Sequence, residues 1–286
     1  MIIVGVDGST AAQDAVEWAA DDAFRTGEPL RIVHAVDRAP YQVGRYRHPE
    51  LADLLLREGQ RILREAAVVA RVRRPGIEVT TRDIEGAPAP VLREQARDAT
   101  EVVIGSRGRG GFAGMLLGSV SVHVAGHVNC PVVVLRGEHR PPRGEIVAGV
   151  DDSPECEPAL AYAFRQAELR DATLRVVHAW QLPVHAFAPE ASYAMDEVRA
   201  AQRQAVQDRL AIFSKGHPEV AVVEDHPAAH PVDALTDAST RADLLVVGSH
   251  GRGAVASMLL GSVSRGVLHH AHCPVAVVRA QGVRRA

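Results

Sequence analysis

The sequence predicts two tandem α/β domains, each a five-stranded parallel sheet with helices on both faces. Three observations predict it. A glycine-rich stretch occurs twice: residues 105–121 read GSRGRGGFAGMLLGSVS and residues 248–264 read GSHGRGAVASMLLGSVS, 143 residues apart and identical at 13 of 17 positions. Short apolar runs alternate with helical patterns through each half, and strands separated by helices pair in parallel through right-handed crossovers. The 286 residues also suffice for two cores, since a domain of about 140 residues buries roughly two-thirds of its unfolded surface.

The first half opens on Ile2 to Val6, an apolar run suited to a strand buried on both faces. Asp7-Gly8-Ser9-Thr10 punctuates it, with Ser9 or Thr10 able to cap a helix in which Ala15, Trp18, Ala19 and Ala23 recur at helical spacing. Leu30 to Val36 is a second strand, and Asp37 to Pro49 is irregular. A helix is expected from about Leu51 to Val72, a strand from Ile77 to Ile84, and a helix from about Ala89 to Asp98 after the turn Gly86-Ala87-Pro88. The strand at 101–104, the glycine stretch, a helix over Ser119 to Val128 and the strand Val132 to Leu135 complete a domain at 1–136.

Residues 137–144, with Pro141-Pro142, read as a polar linker. The order then restarts in a domain at 145–280. Ile146 to Val150 and Asp151-Asp152-Ser153 match Val4 to Ser9, and Arg175 to Ala179 repeats Arg31 to Ala35. A variable loop from Gln181 to about Met195, a helix from Asp196 to Phe213, a strand near 220–224, a helix after Pro231, the strand at 244–247, the second glycine stretch, a helix and Val275 to Val278 follow.

Composition narrows the function. The chain is 47% hydrophobic and 23% charged, with a net charge of −3 and both signs intermixed, which argues against nucleic-acid or membrane attraction. Three cysteines, two of them equivalent (Cys130 and Cys273), make no disulfide framework and fit a reducing cytoplasmic setting. No basic, apolar leader and no run of about 18 apolar residues is expected here.

Both glycine stretches keep the spacing Gly, two residues, Gly, nine residues, Gly-Ser: Gly105, Gly108, Gly118 and Ser119, then Gly248, Gly251, Gly261 and Ser262. The first two glycines clear the strand end so that a ligand can approach the backbone. Gly118-Ser119 opens a helix, whose free N–H groups and positive dipole end favour an anion. Ser119 and Ser121 add hydroxyl donors, and Arg107 or Arg109 supplies charge. A dinucleotide fingerprint belongs after the first strand of a unit, with an acid about 20 residues on; this stretch follows the fourth strand, and Pro131-Val132-Val133 fills the acidic region. A P-loop needs Gly-Lys-Ser/Thr, and the single lysine is Lys215.

Ligands of open parallel sheets sit beyond strand C-termini where strand order reverses. If strand one neighbours strand four, Asp7 and Asp151 border the glycine loops, each as an acceptor for a ribose hydroxyl, a Mg²⁺ ligand or a plain helix cap. Ala35 and Ala179 end strand two and leave a slot for a flat base.

Together these residues resemble the universal stress protein family in its ATP-binding, two-domain form. The resemblance rests on Val-Gly-Val-Asp-Gly-Ser (4–9), Val150-Asp151-Asp152-Ser153, His34-Ala35, His178-Ala179 and the paired glycine motifs. It implies a Rossmann-like sheet order of 3-2-1-4-5 in each domain and ATP at the switch point, with or without Mg²⁺. It further implies Asp7 and Asp151 on ribose, and Ala35 and Ala179 beside adenine. Phosphates and ribose would lie on Gly105, Arg107, Gly108, Gly118, Ser119, Val120 and Ser121 in one half, and on Gly248, His250, Gly251, Gly261, Ser262, Val263 and Ser264 in the other.

The full candidate set adds Gly5, Ser106, Arg109, Gly110 and Gly111, and Gly149, Ser249, Arg252 and Gly253. The second half departs from the first at His250 for Arg107, Asp152 for Gly8 and Ala229 for Gly86. The resemblance also implies edge-to-edge pairing of the last strands, as an internal pseudo-dimer or a homodimer, and a regulatory role in stress. The expected function is nucleotide retention with little turnover and no catalytic residues; the alternative is a slow ATP hydrolase or a phosphoryl or adenylyl transferase. The pairs His123/His127 and His226/His230 have metal-ligand spacing but lack a third ligand in sequence.

Overall fold

The computed structural model describes residues 1–37, 49–109, 117–136, 141–180, 189–251 and 259–280. The chain divides into two compact units, Met1–Arg136 and Gly137–Ala286. In the first, β1 (Ile2–Val6), α1 (Thr10–Thr26), β2 (Leu30–Val36), α2 (Pro49–Arg73), β3 (Val79–Glu85), α3 (Pro88–Gln95), β4 (Glu101–Gly105), α4 (Ser119–His127) and β5 (Val132–Leu135) follow in order. The strands are parallel and lie side by side as β3-β2-β1-β4-β5, which puts β1 beside β4 with Ile2 opposite Glu101. Helices α1 and α2 pack together, as do α3 and α4.

The second unit repeats this with β6 (Glu145–Gly149), α5 (Glu157–Arg170), β7 (Thr173–Val177), α6 (Pro189–Gly216), β8 (Val222–Asp225), α7 (Pro231–Ser239), β9 (Leu244–Gly248), α8 (Ser262–His270) and β10 (Val275–Val278). Its strand order is β8-β7-β6-β9-β10. Among the described residues no helix is long and apolar enough to cross a membrane.

Central strands carry the cores. Ile2, Ile3, Val4, Val102 and Val103, and in the second unit Ile146, Val147, Leu244 and Leu245, are at most 1% exposed. Each such side chain contributes about 1.5–3 kcal/mol of apolar burial. Alternation along β2 sorts the two faces: His34 meets Gly59 of α2, whereas Val33 and Ala35 face the other side, towards Leu92 and Pro88.

Several boundaries differ from expectation for local reasons. α6 begins at Pro189, seven residues before the expected Asp196, because proline is well suited to a helix's first turn; residues 181–188 of the expected loop lie outside the described residues, as do 38–48. The helix expected over Ala89 to Asp98 is α3 followed by a 3₁₀ turn, Ala96–Asp98. Ser9 caps α1, its Oγ accepting from the Ala12 amide at 3.2 Å. Its counterpart does not repeat that role. Ser153 Oγ donates to Asp151 Oδ1 at 2.5 Å, Pro154–Cys156 forms a 3₁₀ turn, and α5 starts only at Glu157. The end of the expected linker is tied down, the Arg143 and Gly144 amides donating to the Asp243 carboxylate at 2.7 and 2.8 Å.

One buried charge locks α1 to α2. Asp21 accepts from Arg73 at 2.9 Å and Arg74 at 2.6 Å. Burial pushes the Asp21 pKa up, but the hydrogen bonds from the two arginines outweigh it and hold the carboxyl below its ordinary value. A lowered folded-state pKa gives stability that is present above the unfolded value of about 4 and is lost as pH falls through the folded one. Both arginines are about a third exposed, so solvent screening leaves roughly 1 kcal/mol. Asp21→Asn is expected to lower urea stability at pH 7 by about that amount and to flatten the loss of stability below pH 4. An unchanged acid limb would contradict this account.

Candidate functional site

Each unit has a cavity where its first and fourth strands end side by side. The first, about 510 Å³, is lined by Gly5, Val6, Asp7, Ala12, Val33, Ala35, Pro88, Leu92, Ile104, Gly105, Arg107, Gly108, Leu117, Gly118, Ser119, Val120 and Ser121. The second, about 420 Å³, is lined by Gly149, Val150, Asp151, Cys156, Val177, His178, Ala179, Pro231, Leu235, Val247, Gly248, His250, Gly251, Gly261, Ser262, Val263 and Ser264. Sequence-predicted residues from both ends of the chemistry thus meet in one space per unit: the strand-one aspartate, the strand-two alanine and the glycine loop. Ser106, Arg109 and Ser249 belong to the loops without lining the cavities. Gly110, Gly111, Arg252 and Gly253 lie outside the described residues.

The aspartate is what fixes the loop. Asp7 Oδ1 accepts from the Ser9 amide at 3.0 Å and Oδ2 from the Arg109 amide at 2.8 Å. It therefore bridges the turn after β1 to the loop after β4, while the capping role falls to Ser9. A carboxylate offers about four acceptor positions, so Asp7 keeps capacity for a further donor. In the second unit Asp151 Oδ1 accepts from both the amide (3.1 Å) and the hydroxyl of Ser153.

This geometry corrects the reason for three of the loop glycines. A Cβ on Gly108 would lie 2.3 Å from Asp7 Oδ2, and one on Gly251 would lie 2.4 Å from Asp151 Oδ2. A Cβ on Gly105 would meet the Ala11 backbone at 2.8 Å. The space that the sequence suggested for a ligand is filled at these positions by the aspartate and by the first turn of α1. Gly5 and Gly149 have a parallel use: they let Leu92 and Leu235 descend onto the sheet and form the apolar wall.

One end of each cavity lies at a helix start. Gly118 and Gly261 are the N-cap residues of α4 and α8, and their amides donate to the carbonyls of Ser106 and Ser249, each at 2.8 Å. Ser119 and Ser262 are exposed at the first helical position. Ser121 and Ser264 are buried, and their hydroxyls donate to loop carbonyls, Ser121 to Gly105 at 2.9 Å and Ser264 to Ser249 at 3.0 Å. They shape the loop from beneath. Arg109 directs its guanidinium away to Glu58 of α2 at 2.9 Å, where hydrogen bonds from Arg61 and Arg109 hold the Glu58 carboxyl at about 2. Arg107 is the described cation lining the first cavity, and His250 holds that place in the second.

Sequence reasoning missed the opposite wall, Pro88 with Leu92 and Pro231 with Leu235; the signal was the Pro-x-x-x-Leu repeat after strand three. It also missed Arg136 and Arg279, which follow the last strand in both units. Burial, with the positive charge of Arg107 nearby, pushes the Arg136 pKa down. Cys156 lines the second cavity where Ala12 lines the first; burial pushes its thiol up to about 11. Of the histidines, His34 pairs with Asp83 at 2.9 Å, His230 caps α7 by accepting from the Val232 amide, and His123 stacks on His127 at 3.9 Å. None of these five side chains lines either cavity.

The sequence model of the universal stress protein family matches residues 1–136 and 143–279. The universal stress protein Rv2005c of Mycobacterium tuberculosis is 35% identical over 286 residues, covering 97% of this chain and 96% of the relative. Rv2623, from the same organism, is 36% identical over 289 residues with the same coverage. Among solved structures, a universal stress protein from Archaeoglobus fulgidus superposes with a TM-score of 0.71 at 21% identity, covering 98% of this chain and 96% of that one.

The close approach of Asp7 to Gly108 ranks the loop glycines. Gly108→Ala and Gly251→Ala are expected to cost about 1–3 kcal/mol of stability through forced overpacking. Gly118→Ala and Gly261→Ala, whose added carbon would stand 3.3 Å from a loop carbonyl, are expected to cost less than about 1 kcal/mol. Urea unfolding of the four variants checks the ranking, and equal costs at all four would contradict it.

Proposed function

The chain belongs to the universal stress protein family, and from that premise we propose that each unit holds one adenine nucleotide, ATP as the family resemblance implies, for regulation and not for turnover. The observation that carries the reading is the joint lining of each cavity by a strand-one aspartate and a helix N-terminus entered through glycine. Volumes of about 510 and 420 Å³ fall within the roughly 300–1,000 Å³ range of small-molecule sites. Adenine would lie against Leu92 and Pro88, or Leu235 and Pro231, beside Ala35 or Ala179. Ribose would donate to Asp7 or Asp151. Phosphates would accept from the amides and serines at the start of α4 or α8.

Three or four hydrogen bonds to charged groups, at about 1.5–3 kcal/mol each, less the cost of immobilising the ligand, give affinity of roughly micromolar order. A Mg²⁺ ion fits as a companion to the phosphates, because Asp7 retains acceptor capacity beside them.

Retention is favoured over chemistry by how the loop's polar groups are used. Phosphoryl transfer relies on a positioned base and on cations clamping the phosphates. Here Asp7 grips two amides, Arg109 is held by Glu58, and the hydroxyls of Ser121 and Ser264 are turned into the loop. On this reading, residues 1–136 and 145–280 are the two nucleotide-binding domains of a cytoplasmic stress-response protein, in which bound nucleotide stabilises a surface read by a regulatory partner.

Nucleotide extracted from the purified protein and quantified by chromatography and mass spectrometry tests this directly. Up to two adenine nucleotides per chain, with negligible phosphate release over hours, is the expected result. Protein that carries none and acquires none on incubation with Mg-ATP would overturn it.

A further inference from the structure

Helix α2 carries a second pattern on the side away from its core. The core side is made by Gly59, Leu63, Ala66 and Ala70, all buried. Opposite them Leu54, Arg57, Arg61, Arg64, Val68 and Arg71 recur at alternating steps of three and four residues. Leu54, Val68 and the adjoining Val72 are 61%, 58% and 75% exposed, so the apolar members of the row are as open as the charged ones. Alternating steps of three and four make the repeat of a coiled-coil seam, the register in which one helix receives another.

The charge on this seam has one sign. Arg61 is spent within the helix, donating to Glu58 at 2.7 Å and to Glu65 at 2.6 Å, and Glu58 also accepts from Arg109 at 2.9 Å. Those two arginines and two glutamates cancel. Arg57, Arg64 and Arg71 are exposed, and among the described residues no carboxylate pairs with any of them. Arg71 reaches only a backbone carbonyl, that of Val79 at 3.4 Å. Seven residues of helix rise about 10 Å, so three uncompensated cations are spaced evenly along one face of a chain whose net charge is −3.

The second unit shows that the fold does not require them. Glu78 and Ala221 hold equivalent places, their carbonyls accepting from the Leu30 and Leu174 amides at the start of β2 and near that of β7. Counted back from there, the α6 positions that correspond to Arg57, Arg64 and Arg71 are Ala200, Gln207 and Ser214. The same scaffold is thus built once with the row of cations and once without it.

We infer that the outer face of α2 is a docking surface for an acidic amphipathic helix of a partner protein. Its carboxylates would repeat every seven residues against Arg57, Arg64 and Arg71, and its apolar positions would meet Leu54 and Val68. Arginine is enriched where protein interfaces are centred, and its planar fork pairs with carboxylates in bidentate fashion. The interleaved Leu54 and Val68 suit a helix better than the phosphate backbone of a nucleic acid. Arginines within the row interrupt the apolar stripe with which a helix enters a lipid surface. The surface belongs to the first unit alone and goes beyond nucleotide binding, on which it does not depend.

Fluorescence anisotropy of the full chain with two labelled synthetic helical peptides tests this. One peptide carries glutamates at seven-residue intervals beside leucines, and the other carries lysines in place of the glutamates. Saturable binding of the glutamate peptide is expected, weakened by added salt and tighter than that of the lysine peptide by about tenfold or more. Arg57→Gln combined with Arg64→Gln should weaken it by about tenfold or more and leave the nucleotide content of the purified protein at its wild-type level. Gln207 already occupies the matching place in α6, so the fold accepts the change. Arg57→Glu combined with Arg64→Glu should transfer the preference to the lysine peptide, which a merely structural role would not do. Failure of the glutamate peptide to bind, equal binding of both peptides, or binding indifferent to the glutamine pair would overturn the inference. Tighter binding of duplex DNA or of phosphatidylserine vesicles through the same arginines would overturn it as well. Nucleotide occupancy is read separately, so none of these failures touches the nucleotide reading.

Discussion

The Asp7 carboxylate stands between two pieces of backbone that come from opposite ends of the first unit. One oxygen closes the turn into α1 through the Ser9 amide, and the other fixes the glycine loop through the Arg109 amide. Residue 108 has to be glycine for that carboxylate to fit. Gly105 has to be glycine for α1 to begin where the capped turn places it. The parallel pairing of β1 with β4 brings the two segments together, and the crevice of the switch point opens directly above them. The site is thus an outcome of strand order first and of side-chain chemistry second.

Duplication kept that arrangement and altered its periphery. Gly251 sits as close to Asp151 as Gly108 does to Asp7, so the glycine loop of the second unit has the same steric reason. Around it, Pro154 displaced the helix start, Ser153 turned from capping to gripping the aspartate, a histidine stands where the first loop has Arg107, and a second acid follows the aspartate. Changes of this kind leave the fold untouched because they fall on loop and cap positions, where a rigid sheet presents residues that binding can vary.

Much of this was legible in the sequence because repetition separates signal from noise. The alternation of apolar runs and helical patterns located every strand core, and the shared Gly-x2-Gly-x9-Gly-Ser spacing located both loops. What the letters did not disclose was why each glycine is there. Gly108 and Gly118 look alike in the motif, yet one accommodates a carboxylate at 2.3 Å and the other caps a helix with modest crowding. Ser121 and Ser264 read as ligand donors, but burial under the loop directs their hydroxyls to carbonyls. The walls formed by Leu92 and Leu235 were hidden because their partners, Gly5 and Gly149, are distant in sequence. Helix starts failed where proline intervened, at Pro189 and Pro154, since its effect depends on the turn it enters.

The central claim, that the aspartate-braced glycine loop and the following helix start form a nucleotide cradle in each unit, is tested most directly by amide hydrogen exchange with and without saturating Mg-ATP. Slower exchange is expected in segments 105–109, 118–121, 248–251 and 261–264, with the outer face of α2 unchanged. Exchange at these segments that is indifferent to nucleotide, or protection that appears instead along α2, would contradict the account.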